Sequence, residues 1–151
     1  MATMKPWRQV ALIAVLALAA AGGTWWLKGP PSRVFRCDPA TLKSDEVCLE
    51  TIPVGAEVVW VDARPRAAWQ QSGVPGSVLW NLDPAEDMQA FEAAAAVRIA
   101  VTPRVIVYCG DENCGVSRQV AARIRALDLG AQVSVLRGGW RALHEAGRVK
   151  K

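Results

Sequence analysis

Two cysteines bracket the stretch of this chain best suited to chemistry, Tyr108-Cys109-Gly110-Asp111-Glu112-Asn113-Cys114-Gly115-Val116-Ser117. The apolar run Arg104-Val105-Ile106-Val107-Tyr108 before it has the β-branched content of a buried strand. After it, Val116, Val120, Ile124 and Leu127 recur at helical spacing. Cys109 is therefore expected at a strand's C-terminal end, facing a helix N-terminus, where backbone N–H groups and the helix dipole stabilise a thiolate. Gly110 and Gly115 permit the tight curvature such a loop needs. The chemistry is nucleophilic and sulfur-based. Four residues separate the two cysteines, where a disulfide oxidoreductase would usually have two. Cys37/Cys48 and Cys109/Cys114 are spaced too widely for zinc knuckles, and His144 is the only histidine. No metal and no cofactor is expected.

The elements that must position this loop follow from pattern. Val58-Val59-Trp60-Val61 reads as the first buried strand of the core, ending in Asp62-Ala63-Arg64, and Pro65 suits the first turn of a helix. A turn at Ser72-Gly73-Val74-Pro75-Gly76-Ser77 leads into a short strand, Val78-Leu79-Trp80. Asp83 followed by Pro84, with Glu86 three on, predicts a capped helix running to about Val97. Thr102-Pro103 breaks the chain before the central strand. The helix after the loop is expected to run from Val116 to Leu129 with Gly130 as its C-cap, followed by a strand over Gln132 to Leu136. Arg137-Gly138-Gly139-Trp140 is a tight turn, and Arg141 to Ala146 a last short helix. Strands alternating with helices imply a small α/β domain over residues 45–147, with a mainly parallel central sheet flanked by helices.

The N-terminus is of another kind. Residues 1–8 carry Lys5 and Arg8, and residues 9–27 run without a charge. That length is enough for one transmembrane helix, with Trp25-Trp26 at the interface. The alternative is a signal peptide cleaved near Ala21, after Ala19-Ala20-Ala21; Trp25-Trp26-Leu27 extends the apolar stretch past that cut and favours retention. Either way the remainder is exported. The expectation is a single-pass membrane protein, contacting lipid through residues 9–27, with its C-terminal domain extracytoplasmic (periplasmic). Arg33 and Arg36 blunt the charge asymmetry that would fix orientation. Residues 28–44 read as a linker stiffened by Pro30-Pro31, and 148–151 as a basic tail. Outside the cytoplasm Cys37 and Cys48 would be able to close a disulfide loop of about twelve residues, contributing up to about 3 kcal/mol; otherwise they are unpaired thiols, with Cys48 packed beside Val47 and Leu49. The net charge of +4 is scattered, with no basic stripe interleaved with aromatics, so no nucleic-acid partner is expected.

Taken together, Val59-Trp60-Val61-Asp62-Ala63-Arg64, Trp69, Val74-Pro75-Gly76-Ser77, Val107-Tyr108-Cys109 and Val135-Leu136-Arg137-Gly138-Gly139-Trp140 fall in an order and spacing that resembles a single-domain rhodanese. The resemblance implies a sulfurtransferase. Its cysteine, matched by Cys109, takes a sulfane sulfur from a donor such as thiosulfate, holds it as a persulfide and passes it to cyanide, a small thiol or a protein thiol. It also implies a mainly structural pair in Asp62 and Arg64, bracing the loop beneath the sheet edge. Ser117 would cap the following helix or donate to the loop. Gly-His is usual before the Ile-Pro-Gly turn of the family; here Ser72-Gly73 precede Val74-Pro75-Gly76.

A second departure lies in the loop. Many rhodaneses carry an arginine or lysine there, whereas this loop holds Asp111 and Glu112, which would repel thiosulfate and raise the thiol's pKa. Cys114, with Ser117 three residues on, resembles a family variant with a second loop cysteine. It would either resolve the persulfide or trap Cys109 in a reversible disulfide, or it is simply a small buried residue. A related phosphatase reading requires an arginine six positions after the cysteine, and that position is Gly115. The rival from another class is a membrane-tethered rhodanese-fold module that binds a partner or senses redox state without turnover.

Overall fold

The computed structural model describes residues 35–110 and 115–149, together with Trp7, Val10, residues 13–18 and Gly23. The chain divides into two units, Met1–Val34 and Phe35–Lys151. In the first, the described residues are helical, and Val10, Ile13, Val15, Leu16 and Leu18 are exposed. No helix among the described residues is long and apolar enough to cross a membrane. The rest of residues 9–27, on which the spanning segment was expected, lies outside the described residues.

The second unit is built on a five-stranded parallel sheet in the order β1-β5-β4-β2-β3. The strands are β1 (Glu46–Val47), β2 (Val59–Asp62), β3 (Val78–Leu79), β4 (Arg104–Tyr108) and β5 (Gln132–Leu136). The helices are α1 (Arg66–Ser72), α2 (Met88–Ile99), α3 (Gly115–Ala126) and α4 (Gly139–Glu145). Because side chains alternate along a strand, the sheet feeds two cores. Val59, Val61, Val105, Val107, Val133 and Val135 face α2 and α3, which bury Phe91, Ala95 and Ile99, and Val120, Ala121 and Ile124, at helical spacing. Ile106, Tyr108 and Leu136 face the other way, packing with Leu49, Ile52 and α4 residues Ala142 and Leu143. A sheet covered on both faces explains why β4 is a continuous apolar run.

The boundaries differ from expectation in places. The helix expected from Asp83 starts at Met88, capped by Asp87, whose carboxylate accepts the Ala90 N–H at 3.1 Å. Asp83 instead closes a turn, its carboxylate accepting from Ala85 N and its carbonyl from Glu86 N. Glu86 is drawn away to Arg66 and Asn81. The helix α3 stops at Ala126, three residues short of Leu129, and the chain turns through Asp128 and Gly130, both with positive φ. The strand β1, two residues on the sheet edge, falls within the polar stretch before the first expected strand.

Residues 35–44, expected as linker, belong to the compact unit. Phe35 packs in the second core, its N–H donating to the Glu145 carboxylate, and Cys37 is joined to Cys48 in a disulfide with Cα atoms 5.6 Å apart. The Phe35 ring lies where a Cβ at Gly138 would stand, and Gly138 has φ of 81°, so glycine is required there on both counts. At the other end Arg148 donates to Ile52 O and Val149 is buried, so the basic tail is packed as far as the described residues extend.

Candidate active site

Cys109 follows β4 directly and α3 begins six residues later, so the cysteine stands at the sheet's C-terminal edge before a helix N-terminus. It is 2 % exposed. Its Sγ lies 3.6 Å from Ser117 Oγ, within hydrogen-bond range for sulfur. Ser117 is the third residue of α3, 3 % exposed, and so sits inside the helix with its hydroxyl against the sulfur rather than at the cap position. Cys109 is in the disulfide-bonded form in this structure. Gly110 and Gly115 flank the loop; Asp111, Glu112, Asn113 and Cys114 lie outside the described residues.

The backbone around Cys109 is fixed from two sides. Ala63 N–H donates to Tyr108 O at 2.8 Å, continuing the β2–β4 ladder. On the other side the first turn of α4 donates Trp140 N–H to Cys109 O at 2.6 Å and Arg141 N–H to Gly110 O at 3.4 Å. The Gly138-Gly139 turn thus brings α4 back onto the loop's first residues.

Beneath this edge Asp62 and Arg64 form a buried ion pair. Arg64 Nη2 is 2.8 Å from Asp62 Oδ2 and Nε 3.0 Å from Oδ1, and the Arg64 backbone N–H also donates to Oδ1 at 2.9 Å. The guanidinium reaches on to Ser72 and Ala68 of α1, and lies 5.1 Å from the centroid of the Trp140 ring. Asp62 Oδ2 also accepts the Tyr108 hydroxyl at 2.8 Å, and the Tyr108 hydroxyl oxygen in turn accepts the Val74 N–H at 3.0 Å. Burial first, and then the charge of Asp62, push the Tyr108 phenol far above its usual range, so it stays protonated and donates. Trp140 Nε1 closes the cluster on Ser72 O at 2.7 Å. Asp62 and Arg64 are therefore a brace joining β2, β4, α1 and α4, and both are buried: Asp62 is 0 % and Arg64 8 % exposed.

Sequence reasoning missed a second charged cluster on the opposite face of the sheet. The Glu46 carboxylate, at the edge strand, takes Arg118 Nη2 at 3.1 Å and Arg137 Nη1 at 3.7 Å. Burial alone would raise its pKa; the Lys43 N–H and the two guanidiniums outweigh burial and hold it below the usual carboxylate range. The only signal in the sequence was parity: Arg137 falls an even number of residues after Val133 and Val135, on the face of β5 that turns toward α3.

A cavity of about 240 Å³ is lined by Ala63, Pro65, Asn81, Leu82, Asp83 and Val116. Cys37 and Cys48, with Glu50, bring three possible metal donors together, but the two sulfurs are bonded to each other.

Among solved structures the chain is similar to the BH2092 protein from Bacillus halodurans, at 22 % identity over 63 % of this chain and 64 % of that one, with a TM-score of 0.48. It is also similar to the As-Sb reductase from Leishmania major, at 19 % identity over 60 % of this chain and 66 % of that one, again with a TM-score of 0.48. This chain spans less than two thirds of the length of either. No curated protein matches it. The model of the rhodanese-like domain matches residues 49–146, well over half of the chain, running from the turn after β1 through the cysteine loop to the end of α4. A parallel sheet with its cysteine loop between the fourth strand and the following helix, coinciding with that match, makes the chain a member of the rhodanese-like domain family.

Proposed function

We propose that the chain is a membrane-anchored sulfurtransferase that carries sulfane sulfur as a persulfide on Cys109. The observation that supports this most is the placement of the Cys109 sulfur, buried, against Ser117 Oγ and before the N-terminus of α3. A helix N-terminus and a hydroxyl donor both favour the anionic form of sulfur there. With thiosulfate as donor, the reduced Cys109 thiolate attacks the outer sulfur. A Cys–S bond to that sulfur forms, the sulfur–sulfur bond of thiosulfate breaks, and sulfite leaves with the electron pair. A thiolate or cyanide then attacks the terminal persulfide sulfur, taking it as a new persulfide or as thiocyanate and returning the Cys109 thiolate. Asp62, Arg64 and Tyr108 act at a distance, fixing the end of β4. The cavity beside Ala63 and Val116 is of a size for a small acceptor.

The charge-free stretch over residues 9–27 supports anchoring, with the catalytic unit on the extracytoplasmic side. The Cys37–Cys48 disulfide fits an oxidising compartment. A second reading, a redox-responsive binding module, has one observation in its favour, the disulfide-bonded form of Cys109.

The test is persulfide formation. Reduced protein incubated with thiosulfate or a low-molecular-weight persulfide should gain one sulfur on Cys109, and Cys109→Ser should gain none. If no donor charges Cys109, the transfer reading fails and the binding module stands. Detergent-dependent extraction of the full chain, at the mass of residues 1–151, supports the anchor; a product lacking residues 1–21 overturns it.

A further inference from the structure

Asp111 and Glu112 in the loop sequence, with no cation among its residues, leave open how an anionic donor would approach Cys109. The β4–β5 register pairs Val107 with Val135. Cys109 is the first residue after β4 and Arg137 the first after β5, so both leave neighbouring strands at the same edge of the sheet. Both fall on the face toward α3, since Val105, Val107 and Cys109 share one core with Val133 and Val135. Arg118 reaches the same face from the first turns of α3, one residue after Ser117. Glu46 stands one row further back on β1, paired with Val135 on the same face, and bonds both guanidiniums.

The Glu46 side chain is 2 % exposed, while Arg118 and Arg137 retain 33 % and 26 %. One buried carboxylate against two partly open guanidiniums leaves a net positive charge directed to solvent at the sheet edge. The neighbouring Arg125–Asp45 pair, 3.7 Å apart, is neutral in sum. Arg118 Nε is buried and has no acceptor among the described residues.

We infer that Arg137 and Arg118, set by Glu46, form the recognition element for the anionic group of the sulfur donor, in place of a cation within the loop. This rests on Cys109 being the reacting sulfur. Arg137 and Arg118 are specificity residues, and Glu46 is a positioning residue that acts through them. The inference makes the substrate class anionic: an oxyanion of sulfur such as thiosulfate, or a persulfide bearing a carboxylate.

The experiment compares two alkylating agents of one mechanism on reduced full-length protein, following the Cys109 peptide by mass spectrometry. Iodoacetate carries a negative charge and iodoacetamide none; in each, the Cys109 thiolate displaces iodide and a C–S bond forms. Sulfur transfer is not needed, so the result is separate from failure of the transferase reading. Arg137→Gln should lower the iodoacetate-to-iodoacetamide rate ratio by about three- to tenfold, and Arg118→Gln by a similar or smaller factor. Arg137→Lys should restore most of the ratio. Raising salt should shrink the wild-type ratio toward that of Arg137→Gln. The iodoacetamide rate serves as the control for folding, because a collapsed site would change both rates. A ratio unchanged in Arg137→Gln and Arg118→Gln, or one that Arg137→Lys does not restore, overturns the inference.

Discussion

The two faces of the sheet each carry a carboxylate that holds a guanidinium, and the two clusters differ in what they leave over. On the α4 face Asp62 and Arg64 are both buried, and each nitrogen of the guanidinium has an acceptor among Asp62, Ser72 and the Ala68 carbonyl. On the α3 face Glu46 is buried but faces two arginines that are each partly open to solvent. The first cluster is saturated and works as a joint between strands and helices. The second carries an excess of positive charge at the end of β5 and the first turns of α3, the helix whose Ser117 meets Cys109. Identical chemical groups thus serve as scaffold or as recognition according to stoichiometry and exposure.

That contrast can be broken first at Asp62. Asp62→Ala would leave the Arg64 guanidinium buried without its counter-charge and remove the acceptor of the Tyr108 hydroxyl. The expected loss is about 3–5 kcal/mol in urea unfolding. A loss below about 1 kcal/mol would mean that Arg64 finds water or another partner easily, and that the brace is not saturated. Tyr108→Phe comes next. It removes one hydroxyl and leaves the Val74 N–H without its acceptor, at a cost of about 1–3 kcal/mol.

Glu46→Gln should cost less, about 1 kcal/mol at neutral pH, because the two arginines regain solvent contact. Its pH dependence is the sharper observation. The folded Glu46 carboxyl titrates below its ordinary range, so its contribution is complete above the unfolded value near about 4.3 and fades as pH falls through the folded value. The stability gap between wild type and Glu46→Gln should therefore close on acidification below about pH 4. A gap that widens on acidification would contradict the ion-pair account. Arg66→Gln, which breaks an exposed pair with Glu86, should leave stability unchanged within error.

The sequence carried the site's frame because β4 and β5 are buried on both faces: both strands lie where the apolar runs put them, Arg104–Tyr108 and Gln132–Leu136. The helix after the loop was legible from its apolar spacing, and the start of α2 was not, since Asp83 and Asp87 are both chemically fit to cap and only tertiary pull on Glu86 decides between them. The strand β1 is too short and too polar to leave a pattern. With β1 hidden, so was Glu46, and with Glu46 the pairing of Arg118 and Arg137 across 72 and 91 residues of chain. The positive charge sought inside the loop lies outside it, on positions that only strand register brings together.

The central claim, that Cys109 carries transferable sulfur, is tested most directly by the intact mass of reduced protein after thiosulfate, read with and without subsequent cyanide. A gain of one sulfur located on the Cys109 peptide, removed by cyanide with release of thiocyanate and absent from Cys109→Ser, is the predicted result. A mass that never rises with thiosulfate or a low-molecular-weight persulfide, or a sulfur that remains in Cys109→Ser, would contradict it.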